Sequence, residues 1–379
     1  MNVQETLADL VRIDSRSSVS NLEMINYLAP RCERLGLCAR LLPYRDAAGT
    51  KKFNLVAVAP RETKDDDVIE LALVGHTDTV PFDPAWAEAL TLTRRDGKLY
   101  GRGACDTKAF IAAALAAVGR FDLTKLARPL ALVFTADEEV GCLGAKRLAE
   151  SSAMRVRRAI VGEPTSLQPV RAGKGYCLAE VEVLGREGHS AYPAEGASAI
   201  FRAARLIERI ERVAGALEAE RHESFDPPYT TINVGRVEGG TAKNIIAGSC
   251  RFTLEWRPVP GQAASRAVKL IQAEAELLRA DDPGFDYQID VTRLDGGVET
   301  SADAVLVSFM EAATGRRAGT VAFGTEAPQM IEMGAEAVVF GAGDIRTAHR
   351  TGEFVPVEEL ERCVEILALA IEEFCMLAS

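Results

Sequence analysis

Short apolar runs alternate with helical patterns in the first part of the chain. Strand-like runs begin at Phe53 (FNLVAVAP), Val68 (VIELALVGHTDTV), Pro129 (PLALVFTADEE) and Ala159 (AIVGEP). An alanine-rich helical stretch, TKAFIAAALAAVGRF from Thr107, lies between the second and third runs. Continuous apolar strands that alternate with helices predict a layered α/β sheet with both faces covered.

The first amphipathic helix has recognisable start and stop signals. Ser20 and Glu23 form an S-x-x-E capping box, and apolar residues follow at helical spacing as far as Leu35. Gly36 is a typical helix stop, and Pro30 is a candidate kink.

The pattern changes near Ala172. The segment YCLAEVEVLG alternates apolar and polar residues, as a half-buried strand does. A helix over about 196–220, the strands TTINVGRVEGG and NIIAGSCRFTLEW, a helix over about 261–279 and the strand FDYQIDVTRL follow. This β-α-β-β-α-β order predicts a ferredoxin-like α+β domain.

The α/β pattern returns after about Leu294. It predicts a helix over 303–314, a strand from Ala337 and a closing helix from Pro356. We therefore expect a discontinuous, layered mixed-sheet α/β domain, residues 1–172 and 295–379, with the α+β domain, residues 173–294, inserted in it.

Composition narrows the class of protein. Of 379 residues, 47% are apolar and 26% are charged, which is typical of globular proteins, and the net charge of −11 argues against a nucleic-acid or anionic-membrane partner. The start of the chain has no signal-peptide pattern, and the eight scattered cysteines lack C-x-x-C spacing. A cytoplasmic protein is predicted. The acidic run Asp65 to Asp67 is predicted to be an exposed turn.

Residues of the metal-ligand type follow several predicted strands. They are His76 and Asp78 in GHTDTV, Asp106 in GRGACDTK, Glu138 and Glu139 in TADEEVG, Glu163 in VGEPT and His349 in GDIRTAHR. An acid in a loop is commonly a solvated charge or a helix cap, and Asp137 fits that interpretation. The combination is more specific, because histidines and carboxylates without cysteine suit a hydrolytic zinc, cobalt or manganese site.

The motifs also carry a family resemblance. HTDTV, GRGACDTKA, DEEVG, GEPTS, GREGHSAYP, NII, WRP and AHR occur in an order that resembles the zinc-dependent aminoacylase and exopeptidase superfamily. Within it, HTDTVPFD, GEPTSLQPVRA and FGTEAP look most like the acetylornithine deacetylases. The resemblance covers nearly the whole chain. It implies a zinc-exopeptidase-like catalytic domain, an inserted lid or dimerisation domain, and a homodimer.

The resemblance further implies a site for two divalent ions, zinc first, with cobalt or manganese as alternatives. Asp106 would bridge both ions. His76 and Glu163 would complete the first ion's ligands, and Glu139 and His349 those of the second. These assignments come from the matching motifs and not from spacing.

Catalytic roles are implied in the same way. Glu138 would be the general base, and Asp78 would orient His76. His189, in GREGHSAYP, would reach the active site of the other subunit and stabilise the oxyanion; without the resemblance, a plain loop histidine would be favoured. His222 matches no motif and is predicted to be a surface loop residue.

Five further positions are candidates for substrate binding: two match family positions near the substrate, and three lie in the FGTEAP loop. Arg257 is a candidate partner for a substrate carboxylate, since a guanidinium binds it through two hydrogen bonds; a salt bridge within the insert is the alternative. Glu326 is a candidate partner for a cationic substrate side chain. The full set is Asn244, Arg257, Gly324, Thr325 and Glu326.

The implied activity is metal-dependent hydrolysis of the N-acetyl amide of a small N-acylamino acid. N2-acetyl-L-ornithine, giving L-ornithine and acetate in arginine biosynthesis, is the preferred substrate. Acetylcitrulline, succinyl-diaminopimelate, another N-acylamino acid, or a dipeptidase or carboxypeptidase activity stays open. A non-catalytic binding module on the same fold is disfavoured, because every matching ligand position and Glu138 are present.

Overall fold

The computed structural model describes residues 2–60, 68–152 and 154–376. The predicted turn from Asp65 to Asp67 lies outside the described residues. Within those ranges, no helix combines the length and apolar character that crossing a membrane requires.

Helices and strands follow one another along the described ranges. The α-helices are α1 Val3–Arg12, α2 Leu22–Arg34, α3 Lys108–Val118, α4 Leu143–Glu150, α5 Ala199–Leu217, α6 Arg266–Asp281, α7 Val305–Thr314, α8 Ala327–Glu332 and α9 Val357–Ile371. The first ten strands are β1 Cys38–Arg45, β2 Lys51–Val58, β3 Val68–Ile69, β4 Leu71–His76, β5 Thr93–Arg95, β6 Lys98–Tyr100, β7 Leu130–Thr135, β8 Arg155–Val156, β9 Arg158–Gly162 and β10 Val170–Gly173. The others are β11 Tyr176–Leu184, β12 Gly188–His189, β13 Thr231–Gly239, β14 Ile245–Ile246, β15 Ser249–Arg257, β16 Asp286–Asp295, β17 Val298–Glu299, β18 Gly319–Val321, β19 Glu336–Phe340 and β20 Phe354–Pro356.

The chain forms two compact units. The first unit comprises Met1–Arg171, Thr300–Gly319 and Thr325–Ser379, and the second comprises Ala172–Glu299 and Thr320–Gly324.

A mixed sheet organises the first unit. Its strands run in the order β1-β2-β7-β4-β9-β19, and β7, β4, β9 and β19 are parallel to their neighbours in that group. β1 and β2 extend this group on one side as antiparallel strands, and β10 pairs antiparallel with β19 on the other side, with Val170 opposite Val339. Every residue of β4 and of β7 is buried, which explains why both strands are continuous apolar runs in the sequence.

The alanine-rich helix α3 lies within the core of the first unit. All of its residues are buried, and it packs against β4, α1 and α9. Alanine has the highest helix propensity, and its small side chain lets neighbouring elements pack closely against the helix. A helix that is apolar on all sides is stable only where it is buried on all sides.

Helix α2 starts differently from the prediction. Its N-cap is Asn21, and no side chain caps it, so the predicted capping box at Ser20 and Glu23 is wrong. The Asn21 amide instead donates to the Phe53 carbonyl oxygen at 2.8 Å. The predicted end is confirmed, since Gly36 has a φ of +92° and directly follows the C-cap residue.

The second unit contains a four-stranded antiparallel sheet in the order β13-β15-β11-β16. Helices α5 and α6 pack against each other, and α5 also packs on the sheet. Alternate residues of β15, including Phe252, Leu254 and Trp256, are buried in this unit's core. The element order and the strand order are those of a ferredoxin-like fold.

Candidate metal centre and active site

Four adjacent parallel strands of the first unit carry candidate site residues beyond their carboxyl ends. His76 is the last residue of β4, and Glu163 follows β9 directly. Glu138 and Glu139 come shortly after β7, and His349 lies in the segment after β19. The carboxyl ends of parallel strands meet at one edge of a sheet, which is where sites form in open α/β sheets.

Asp106 lies between the two predicted ligand histidines. Its Oδ1 is 3.1 Å from His76 Nε2, and its Oδ2 is 3.1 Å from His349 Nε2. His349 Nε2 is also 3.0 Å from Glu139 Oε2. A carboxylate that offers one oxygen to each side is arranged as a bridge.

The remaining acids join the same cluster. Candidate ligand atoms of His76, Glu138 and Glu163 all lie within 4.8 Å of one another, and the same holds for His76, Asp106 and Glu139. All five predicted metal ligands, together with Glu138, are therefore brought together at this edge of the sheet.

The acids of the cluster repel one another in a buried environment. Burial, with the charges of Glu139, Glu326 and Asp106, raises the pKa of Glu138 to about 8, although His76 acts in the opposite direction. Burial and the nearby charges of Asp106 and Glu138 raise the pKa of Glu163 well above its usual value. The carboxylates thus lack enough positive charge around them.

The pKa values of the two ligand histidines are raised as well, which for an imidazole favours the charged form. Hydrogen bonds with Asp106 and Glu139 raise the pKa of His349 to about 10. Burial lowers the pKa of His76, but the nearby carboxylates of Asp106, Asp78 and Glu138 outweigh burial and raise that pKa well above the usual value. Two protonated imidazoles would offset only part of the negative charge of the cluster.

A divalent cation fits this set of donors. Imidazole nitrogens and carboxylate oxygens without thiolates are the ligands of hydrolytic zinc sites. Among the described residues, Oε1 of Glu139 is buried without a hydrogen-bond partner, so one oxygen of the cluster is available to a cation. Cations that replace the histidine protons would relieve the repulsion among the acids.

Asp78 organises the loop that carries the adjacent glutamates. Its carboxylate accepts hydrogen bonds from the backbone N–H groups of Glu138 at 3.1 Å and Glu139 at 3.3 Å, and from Ser17 Oγ at 2.7 Å. His76 Nδ1 is 3.0 Å from the backbone oxygen of Asp78 and 3.7 Å from its carboxylate. The expected contact with His76 is thus made most closely by the Asp78 main chain.

Asp137 has a structural environment, but it is buried and ion-paired, and not the solvated charge that its sequence context indicated. It has a φ of +58°, and its carboxylate accepts hydrogen bonds from Lys52 Nζ at 2.7 Å and Tyr44 Oη at 2.8 Å. Lys52 also donates to the carbonyl oxygens of Ser17 and Val19. These bonds hold the turn that presents Glu138.

Sequence reasoning missed two residues at the site. Cys142 Sγ lies 3.4 Å from Glu138 Oε1. Glu353 accepts hydrogen bonds from the loop that carries Asp106. The only available signal for Glu353 was an acid shortly after His349, since three of its four hydrogen-bond donors are backbone amides, which leave no pattern in a sequence.

His189 and Asn244 lie side by side in the second unit. β12 and β14 pair with His189 opposite Ile245, and the Asn244 carbonyl accepts a hydrogen bond from Ser190 N at 3.1 Å. His189 is exposed, and its Nδ1 accepts from Ala191 N at 3.1 Å. The imidazole Nε2 remains directed away from this local bond.

Arg257 already has partners within the second unit. Its Nε donates to Glu255 at 2.8 Å and its Nη1 to the Ala322 carbonyl at 2.7 Å, with the guanidinium 4.5 Å from the centre of the Tyr176 ring. His222 lies in a loop with its side chain 21% exposed, and its Nε2 is 2.9 Å from Glu299 Oε2.

The FGTEAP segment crosses the boundary between the units. Gly324 belongs to the second unit, and Thr325 and Glu326 belong to the first. Glu326 is 1% exposed, and neither of its carboxylate oxygens makes a hydrogen bond to a described residue. Burial raises its pKa to about 7, although the charge of His76 and the hydroxyl of Thr135 act against that rise.

The chain also matches a known protein family. The sequence profile of peptidase family M20/M25/M40 matches residues 72–373, a range that contains all the candidate metal ligands. The chain belongs to this peptidase family.

Named relatives support that membership. The chain is 54% identical to an acetylornithine deacetylase of Myxococcus xanthus over 98% of this chain and 97% of that protein. It is 36% identical to an acetylornithine deacetylase of Proteus mirabilis over 96% and 92% of the two chains. A tripeptidase from Staphylococcus aureus has the same fold, with a TM-score of 0.77 at 23% identity over 98% and 97% of the two chains. The layered α/β prediction is therefore confirmed.

Proposed function

We propose that the protein is a metal-dependent amidohydrolase that converts N2-acetyl-L-ornithine to L-ornithine and acetate, a step of arginine biosynthesis. The clustering of His76, Asp106, Glu139, Glu163 and His349 around Glu138 carries this proposal. The extensive similarity to proteins named acetylornithine deacetylase supports the choice of substrate.

Two divalent ions, zinc first, are the proposed cofactors. When bound, they would supply Lewis acidity that polarises the amide carbonyl and acidifies water. Asp106 would be shared by both ions, with His76 and Glu163 on one side and Glu139 and His349 on the other. Cobalt and manganese suit the same donors.

Glu138 is the proposed general base. Its carboxylate lies among the candidate ligand atoms, from which it would reach a water held at the site. It would take a proton from the attacking water and pass it to the leaving amine. Asp78 would fix the Glu138 main chain through the hydrogen bond at 3.1 Å.

The residues of the second unit have proposed roles in binding and assembly. His189 would stabilise the oxyanion in the active site of the partner subunit, and Asn244, Arg257 and Gly324 would contact the substrate, with Thr325 of the first unit. β13 is an edge strand of the sheet, and Val237 on it is 52% exposed. On α5, Phe201 is 73% exposed. We propose that this unit, residues 173–294, forms a homodimer and acts as a lid on a catalytic domain made of residues 1–172 and 295–379.

A cytoplasmic location is proposed with the function. All eight cysteines lie in the described ranges, and none is in a disulfide, which suits a reducing compartment.

A substrate panel on the purified, metal-loaded protein tests the function. We expect the highest kcat/KM on N2-acetyl-L-ornithine among that substrate, N-acetylcitrulline, succinyl-diaminopimelate and N-acetylmethionine, with acetate released. A low value for acetylornithine beside a high one elsewhere would reassign the substrate. Activity that survives complete chelation would refute the metal mechanism, and metal binding without any hydrolysis would favour a binding module.

Glu326 is the proposed partner of the substrate's side-chain ammonium group. Its buried carboxylate has no hydrogen-bond partner among the described residues, and a charge-assisted bond in such a place is worth about 1.5–3 kcal/mol. Glu326→Gln should therefore lower the preference for acetylornithine over acetylmethionine by about 10- to 100-fold. Glu332→Gln, an exposed acid of the helix that follows Glu326, is the control and should leave the preference unchanged. An equal loss on both substrates would contradict the proposed contact.

A further inference from the structure

Glu353 is a fully buried acid that the proposed mechanism does not use. It is 0% exposed. Its Oε1 accepts hydrogen bonds from the backbone N–H groups of Cys105 at 2.9 Å and Asp106 at 3.0 Å. Its Oε2 accepts from Gly103 N at 3.1 Å and from Arg102 Nη1 at 2.7 Å. All four donors belong to the short segment that ends at Asp106.

Strand pairing brings this acid to that segment. β20 pairs antiparallel with β6, with Phe354 opposite Tyr100. The next pair of residues outward continues the contact, since Gly101 N donates to the Glu353 carbonyl oxygen at 3.1 Å. The chain therefore leads from β6 to Asp106 on one side and from His349 to β20 on the other, and Glu353 joins the two loops.

The loop around Asp106 has little freedom to adopt another path. Gly103 has a φ of +76°, and a Cβ there would lie 2.9 Å from both Lys108 Cδ and Thr79 Cγ2. Arg102 is 3% exposed and pairs with the same carboxylate. A buried anion bound by four donors is a strong constraint, because hydrogen bonds to charged groups are stronger than neutral ones.

We propose that Glu353 is a positioning residue for the metal centre: it holds the bridging Asp106 at a fixed distance from His349 before any metal binds. The inference rests on the proposed metal-dependent function. Asp106 lies 3.1 Å from His349 Nε2 in the described arrangement, and a carboxylate that must bridge two ions tolerates little displacement.

Glu353→Gln is the sharpest variant. It keeps the size of the side chain, but either orientation of the amide places an NH2 group against two N–H donors. We expect zinc affinity, measured by competition with a chromophoric chelator, to fall about 10- to 100-fold, the range seen when residues behind metal ligands are changed. The visible absorption of the cobalt-substituted protein should shift, because Asp106 coordinates differently.

Glu70→Gln is the matched control. Glu70 is also a buried acid of the first unit, 8% exposed, and like Glu353 it pairs with arginine. It differs in position, because it lies before β4 at the other end of the sheet. It should lose stability without a change in zinc affinity or in the cobalt spectrum. Equal zinc affinity in Glu353→Gln and wild type would overturn the positioning role. Failure of the wild type to bind zinc would instead overturn the proposed function.

A measurement on the wild type keeps the inference testable if the variant does not fold. Hydrogen exchange of the metal-free protein should show protected amides in the peptide that contains Gly103, Cys105 and Asp106. The Glu353 carboxylate already accepts hydrogen bonds from these three N–H groups. Fast exchange there, with protection only after zinc addition, would overturn the proposal that the loop is fixed before metal binding.

Discussion

The two ends of the central sheet treat buried carboxylates in opposite ways. At the amino end, Glu70 is 8% exposed and pairs with Arg157 at 3.2 Å, with Arg128 at 3.8 Å and with Arg158. At the carboxyl end, Glu163 is 4% exposed, and the charges nearest to it include those of Asp106 and Glu138. Both acids adjoin neighbouring parallel strands, β4 and β9.

The difference shows what a metal site requires of a fold. At the amino end, the guanidinium groups of the nearby arginines compensate the charge of Glu70. The carboxyl end collects several acids against two histidines, so its neutralisation depends on an added cation. Burial alone does not distinguish the two ends; the sign of the neighbouring charges does.

The largest expected effect is on kcat, and it should come from changing Glu138, the proposed general base at the carboxyl end of the sheet. Glu138→Gln should lower kcat by about 10²- to 10⁴-fold while the zinc content stays the same, since general-base catalysis contributes on that scale. Glu150→Gln, an exposed acid on α4, should leave kcat unchanged. Loss of one zinc per chain in Glu138→Gln, by elemental analysis, would make Glu138 a ligand and not the base.

Zinc should stabilise the protein by binding the candidate ligands at the carboxyl end of the sheet and nowhere else. At a zinc concentration about 1,000 times Kd, linkage predicts a gain of about 4 kcal/mol in the free energy of unfolding. His349→Ala should reduce that gain, and His222→Ala, a histidine of the second unit, should not. Denaturant unfolding with and without zinc measures both. An undiminished gain in His349→Ala would place the cation elsewhere.

At the carboxyl end of the sheet, the sequence predicted the candidate ligands better than the residues that hold them in place. Ligand types at strand ends are visible because His76 and Glu163 follow apolar runs directly. The helix start at Ser20 was wrong because the Asn21 side chain bonds to Phe53 and Thr77, and such tertiary contacts override local signals. Glu353 was missed because its partners, mostly main-chain N–H groups, lie some 250 residues away in the sequence.

Local patterns also predicted the presence of helices better than their first and last residues. The helix expected from Gly261 begins at Arg266, and the one expected over 196–220 is Ala199–Leu217. Apolar periodicity reports which face is buried and continues into neighbouring turns, whereas helix ends depend on local caps. For α5, Ser198 Oγ accepts from Phe201 N at 3.4 Å and fixes the start.

The smallest effect gives the sharpest test, because one substitution should act with opposite sign at the two ends. In the metal-free protein at neutral pH, Glu163→Gln should raise the free energy of unfolding by about 1–3 kcal/mol, since the acid must either hold its charge beside like charges or take up a proton. Glu70→Gln should lower it by a similar amount, because its arginines lose their anion.

Urea unfolding of both variants and of the double variant measures this pair. The two changes lie at opposite ends of β4 and β9, so they should add in the double variant. Zinc should reverse the sign at the carboxyl end only, because Glu163→Gln removes a proposed ligand and the wild type then gains more than the variant. Destabilisation by Glu163→Gln in the metal-free protein would mean that the carboxyl end is already neutralised, and the comparison of the two ends would fail.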